Sequence, residues 1–174
     1  MLNGLSKDDL IKMIKYYSRS FTAIDGFWFN IVKSHLDYSS AHKIDKQVWM
    51  NFYPWEAKKL IKLFNSKAKG VEGVLELFTH MTWIHSVDYE ISEVNKHRAV
   101  ITFYNCPVLS SLEKAGANTF PCIEGGKIGK HKFAQTIDSK VGMRCTLEPP
   151  RKSPQDPACR WEIYLIDNQS KKNG

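Results

Sequence analysis

Four cysteines punctuate the second half of this chain, at 106, 122, 145 and 159, with separations of 16, 23 and 14 residues. Thiols can oxidise to disulfides, sit buried as small hydrophobes, or bind a borderline-soft metal such as zinc as thiolates. The stretch "MRCTLEPPRKSPQDPACRW" frames that choice: Cys145 leaves one strand-like run, Cys159 enters the next, and four prolines lie between them. No C-x-x-C pair exists, which excludes the ribbon and finger signatures. If the two runs form a hairpin, the sulfurs can close the mouth of its loop, and a helix packed on that sheet end can bring Cys122 to the same point. Three thiolates suit zinc, with Cys106 or Glu148 as candidates for the fourth ligand. Cys122 stands near a helix start, where the dipole favours a thiolate. A disulfide is the weakest answer, because the first residues do not resemble a secretory signal, a cytoplasmic location is the default, and thiols there stay reduced. Inert buried thiols remain the plain alternative.

Other residue types carry less. The six histidines show no H-E-x-x-H or H-x-H spacing, although His80 and His85 bracket the passage from a helix into a strand. "EGGKIGKHKF" fails as a phosphate loop, because three residues separate Gly125 from Gly129 and His131 follows Lys130; close helix packing explains the glycines instead. The formal charge of +7 comes from 25 basic and 18 acidic residues. The lysines are dispersed, as on the wet side of an amphipathic helix, and no reading motif accompanies them, so specific nucleic-acid binding is not expected. No apolar run reaches the roughly 18 residues needed to span a bilayer. Aromatic residues make up 12% of the chain. Trp28, Phe29, Trp83, Phe103 and Phe133 are candidates for the wall of a pocket between a helical layer and a sheet, with ordinary core as the alternative.

The elements that must position these residues change period halfway along the chain. Ser6 with Asp9 forms a weak capping box before Leu10, Met13, Ile14 and Tyr17 at helical spacing. Asp25 can cap a second helix through Phe27, Trp28, Ile31 and Val32. A long helical pattern from Ser40 to Asn65 contains Pro54, which should break or bend it. Another helix follows from Gly70. "IHSVDYEISEV" and "KHRAVITFYN" then read as a hairpin turning at Asn95-Lys96. Two helices come next, one ending near Gly116 and one with Pro121 in its first turn, and then two last strands. The order predicts an α+β fold: N-terminal helices, then an antiparallel sheet in hairpin-helix-hairpin order. The reading gives one domain over residues 1–168 and a polar tail over 169–174.

The run from Phe120 to Leu165, ending "DPACRWEIYL", resembles the C-terminal half of 4-vinyl reductase-type small-molecule-binding domains. The resemblance implies that Cys122, Cys145 and Cys159 hold zinc beside an aromatic-lined ligand pocket. Gly142 stands where effector-sensing members place a carboxylate. Over residues 7 to 166 the chain is also similar to small cytosolic proteins near the L-2-amino-thiazoline-4-carboxylate hydrolase-like family. "DGFWFNIV", "YNCPVLSSLEKAGANTFPC", "FAQTID" and "PPRKSPQDPACRWE" carry that likeness. Relatives often have a further cysteine where this chain has Glu148.

These readings lead to one expectation and one alternative. The expectation is a small-molecule-binding module with a structural zinc site near the final hairpin, or iron under some expression conditions. The alternative is a metal- or cysteine-dependent hydrolase of a small cyclic amide or thiazoline. In that case a metal-bound water or Cys122 would attack, with His80, His85 or His131 as base. The expected partner is a small molecule, a membrane is not expected, and a homodimer stays open.

Overall fold

The computed structural model describes residues 4–117 and 119–166. The expected tail at 169–174 lies outside them. The fold is α+β: five helices, mostly N-terminal, and a four-stranded antiparallel sheet.

Helix α1 runs unbroken over Lys7–His35. Ser6 caps it by accepting the Asp9 backbone N–H at 3.1 Å, as the capping box predicts. The second start expected at Asp25 is absent. Gly26 is accommodated mid-helix, and Asp25 is a half-buried mid-helix residue instead of a cap. Helix α2, Tyr38–Leu63, is capped by Asp37 and continues through Pro54 without ending. Helix α3 spans Gly70–Phe78 and a 3-10 turn follows at Ile84–Ser86.

Strands β1 (Asp88–Ser92) and β2 (Arg98–Tyr104) form the first hairpin. Its turn closes through Asn95, whose N–H donates to Arg98 O at 2.9 Å. Helix α4 occupies Pro107–Lys114 and ends before Gly116, whose φ of +67° glycine adopts without the clash a Cβ would bring. Helix α5, Pro121–Ile137, leads into β3 (Val141–Leu147) and β4 (Cys159–Leu165).

The strand order is β1-β2-β4-β3, so β4 inserts beside β2 and leaves β3 at an edge. Cys145 pairs with Trp161 across β3–β4, and Cys159 pairs with Phe103 across β2–β4. A bulge interrupts β3 between Cys145 and Leu147. The two sulfurs therefore flank the loop mouth without standing opposite each other. Elsewhere on the sheet Glu162 is buried and holds two cations, Arg98 at 2.6 Å and Arg144.

Helices α3 and α5 pack on the sheet, and α2 lies along α5. The core between them is built from Phe78, Phe133, Trp161, Ile101 and Ile163, all almost fully buried. The glycines of α5 permit that approach. A Cβ on Gly129 would lie 2.2 Å from the Tyr53 ring of α2. No described helix is long and apolar enough to cross a membrane.

Candidate functional site

Two neighbouring centres gather the chemistry-bearing residues. The first is a cleft of about 410 Å³ between α1 and α2, lined by Phe21, Ile24, Asp25, Trp28, Val48, Trp49 and Phe52. It is a shallow groove open to solvent, and its walls are largely aromatic. The wall is ordered by ring packing: Phe21 lies edge-on to Trp49, with ring centres 6.1 Å apart, and 5.3 Å from Phe52.

One carboxylate lines the cleft and a second, buried one lies near enough to feel its charge. Asp25 comes from α1 and Asp45, which is buried, from α2. Desolvation by burial raises Asp25 to about 6. It also raises Asp45, with help from the nearby Asp25 charge, to about 7. Interaction with the Trp49 indole pulls both back only in part. Near neutral pH the pair therefore resists carrying two negative charges, the behaviour expected of like charges sharing a low-dielectric site. A cation entering the cleft would relieve that penalty.

The second centre is interior. Lys130, on α5, is buried, and its Nζ lies 4.0 Å from the ring centre of Trp161 and 5.3 Å from those of Tyr53 and Trp83. Burial lowers its pKa, while all four cysteines lie near enough for a thiolate to oppose that shift. Cys106 arrives as the N-cap of α4, Cys122 from the first turn of α5, Cys145 from β3 and Cys159 from the start of β4. Cys106, Cys122, Cys145 and Cys159 thus come from four elements and all lie within electrostatic reach of one ammonium, yet among the described residues they are not grouped as metal ligands. All four are free thiols.

Their environment keeps the sulfurs protonated. Burial pushes Cys122 up to about 12 and Cys159 up to about 11, and it raises Cys106 and Cys145 as well. At Cys122 desolvation outweighs the helix dipole. Cys159 Sγ accepts the Trp161 Nε1–H at 3.3 Å, and Cys145 donates to Leu147 O at 3.2 Å. Glu148 pairs with Lys127 at 2.7 Å. Among the described residues no three His, Cys, Asp or Glu side chains are grouped to hold a metal. The donor set suits zinc chemically, but the side chains would have to turn from these partners towards one another.

The expected pocket wall divides. Trp28 lines the cleft, and Phe29 packs edge-on against Tyr38 with ring centres 6.0 Å apart. Trp83 faces Lys130, while Phe103 and Phe133 are core. The cleft lies between two helices rather than between helices and sheet. None of the expected bases pairs with a thiol in the contacts observed: His80 stacks on Phe64, and His131 Nδ1 lies 3.4 Å from Met143 O. Three groups escaped the sequence reading. Lys130 reads in sequence only as the lysine of a rejected phosphate loop, Asp25 as a cap, and Asp45 carries no reading. The faint signal available was Asp45 and Trp49 at i, i+4 on one helix face.

Residues 3–165 match the family of unknown function DUF6125. No curated protein matches the chain. The likeness to 4-vinyl reductase-type and hydrolase-like proteins therefore rests on the quoted motifs alone.

Proposed function

The chain belongs to the DUF6125 family, and from its own geometry we propose a small-molecule-binding module whose ligand is a compact organic cation with an aromatic or apolar body. One observation carries this reading: Asp25 lines an open, aromatic-walled cleft of about 410 Å³, with the buried Asp45 close enough to feel its charge. The rings offer apolar area and cation-π attraction. The carboxylates supply a charge-assisted partner, and a bound cation lowers the cost of their mutual repulsion.

Titration with phenethylamine, followed by calorimetry and by tryptophan fluorescence, tests the reading. Binding should strengthen as the pH rises from 5 to 8, because the pair ionises over that range. Asp25→Asn should weaken it about tenfold or more, and benzoate should bind far less well. Equal binding of benzoate and phenethylamine, unchanged by Asp25→Asn, would sink it. The raised thiol pKa values and the placement of the histidines favour binding over a cysteine nucleophile.

A structural metal clip is the second reading, favoured by four cysteines from four elements lying within electrostatic reach of one ammonium. Zinc would be held by Cys122, Cys145 and Cys159, with Cys106 or Glu148 as the fourth ligand. It would supply cross-linking of the hairpin to α5, because metal binding that requires the folded site stabilises the fold. The Lys130 ammonium would offset part of the thiolate charge. Untagged protein purified without chelator is then expected to carry about one equivalent of zinc. Cys159→Ser should lose that metal and lower the unfolding temperature far more than Cys106→Ser. Trace metal only, with equal and chelator-insensitive losses in both variants, would remove this reading.

A further inference from the structure

The outermost helix is dressed for a partner. Along α1, Leu10, Ile14, Tyr17, Phe21, Ile24, Trp28 and Ile31 recur at alternating spacings of four and three, the 3.5-residue seam of a coiled coil. All but Phe21 are exposed; Ile24 is 66% and Ile31 60% accessible. Ser18 is the one buried residue of α1 among the described residues, with Phe21, Thr22, Asp25, Phe29 and Val32 half-buried. The helix thus turns its more apolar stripe to solvent, against the usual pattern of an amphipathic helix.

We propose that two copies of this chain pair through the α1 seam, antiparallel and about a two-fold axis. Three features select a second copy. The seam and its apolar neighbours expose on the order of 1,000 Å², against roughly 800 Å² per partner in a stable interface. The flanking positions are neutral except for Asp25: Ile11, Ser18 and Val32 on one side, Met13, Ser20, Phe27 and Ser34 on the other. A membrane-surface helix would place lysines and arginines there. The third feature fixes direction. Asp8 and Asp9 occupy the first turn, Lys33 and His35 the last. Asp8, Asp9 and Lys33 fall off the seam itself, so direction rests on the helix dipoles, which only antiparallel pairing opposes. The arrangement is isologous, so each seam contact is made twice.

In an antiparallel coiled coil the two seam classes face each other, which places Ile14 opposite the partner's Ile31. Phe21, Ile24 and Trp28 also line the cleft, so the partner helix lies along its open side. Ile14 and Ile31 lie outside the cleft lining, so variants there perturb assembly without altering the cleft wall itself. The decisive experiment is sedimentation equilibrium of the 20.0 kDa chain and of three variants, with circular dichroism to check folding. The parent should be a dimer of about 40 kDa. Ile14→Glu and Ile31→Lys should each weaken association at least about tenfold. Together in one chain they should restore it, because each glutamate then meets a lysine of the partner. A monomeric parent, or a double variant weaker than either single one, overturns the proposal. So does a monomer that sediments with phosphatidylserine vesicles.

Discussion

Asp45→Asn is expected to stabilise the protein by about 2–4 kcal/mol at pH 8 and to change little at pH 4. Asp45 is buried, and its pKa stands at about 7 rather than 3.8. A carboxyl with a raised folded-state value binds its proton more tightly in the native state than in the unfolded one. Its contribution is therefore harmless below about pH 4. Its cost grows as the pH rises through the window between the two values, and is complete above the folded value. Asparagine keeps the shape without the charge, so the variant should escape that loss. Urea unfolding of parent and variant at pH 4, 6 and 8 measures the difference directly; groups distant from Asp45 cancel in the comparison, and the relief of its repulsion with Asp25 is included in it. Equal midpoints at pH 8 would show that Asp45 is solvated well enough to ionise freely. A residue kept at such a cost is what a binding site requires and a merely structural helix pair does not.

The second large effect is steric. Gly129→Ala is expected to cost about 2–3 kcal/mol, although alanine gains up to about 1 kcal/mol over glycine in a helix. The new methyl would lie 2.2 Å from Tyr53 Cδ2, and that ring is buried against Lys130. Either α5 lifts from α2 or the tyrosine leaves its place. Gly26→Ala is the control: nothing lies within 4 Å of its added carbon, so propensity alone should stabilise it by about 0.5–1 kcal/mol. Opposite signs for one chemical change at two helical glycines can be read by thermal unfolding. A neutral Gly129→Ala would mean that the two helices are not in the close contact seen here.

The contrast shows what a linear reading reaches. Period changes placed the elements, and Ser6, Pro121 and Gly116 placed several of their ends, because those signals are local. Asp25 starts no helix because tertiary packing overrides its local capping preference, and of the two outcomes expected at Pro54 the break does not occur: the proline is carried within α2. The cysteines were recognised because a thiol is rare enough to notice at any distance. Lys130 and Asp45 were not, because their roles arise only when α5 and α1 are laid against α2, and nothing in "GKHKF" or "KIDKQVW" separates a caged ion from a solvated one. The α1 seam is visible as spacing, but only its exposure shows that it lacks a partner within the chain.

The strand order has a consequence for behaviour at high concentration. It leaves β1 and β3 at the margins of the sheet, where unpaired backbone groups can template the addition of foreign strands. β1 is five residues long and shows Asp88 and Glu90 to solvent. β3 turns Arg144 outward and loses its regular ladder at the bulge after Cys145. A charged margin on one side and an irregular one on the other deny a growing fibril the flat, continuous template it needs. Both margins thus disfavour edge-to-edge addition of further strands when molecules crowd together.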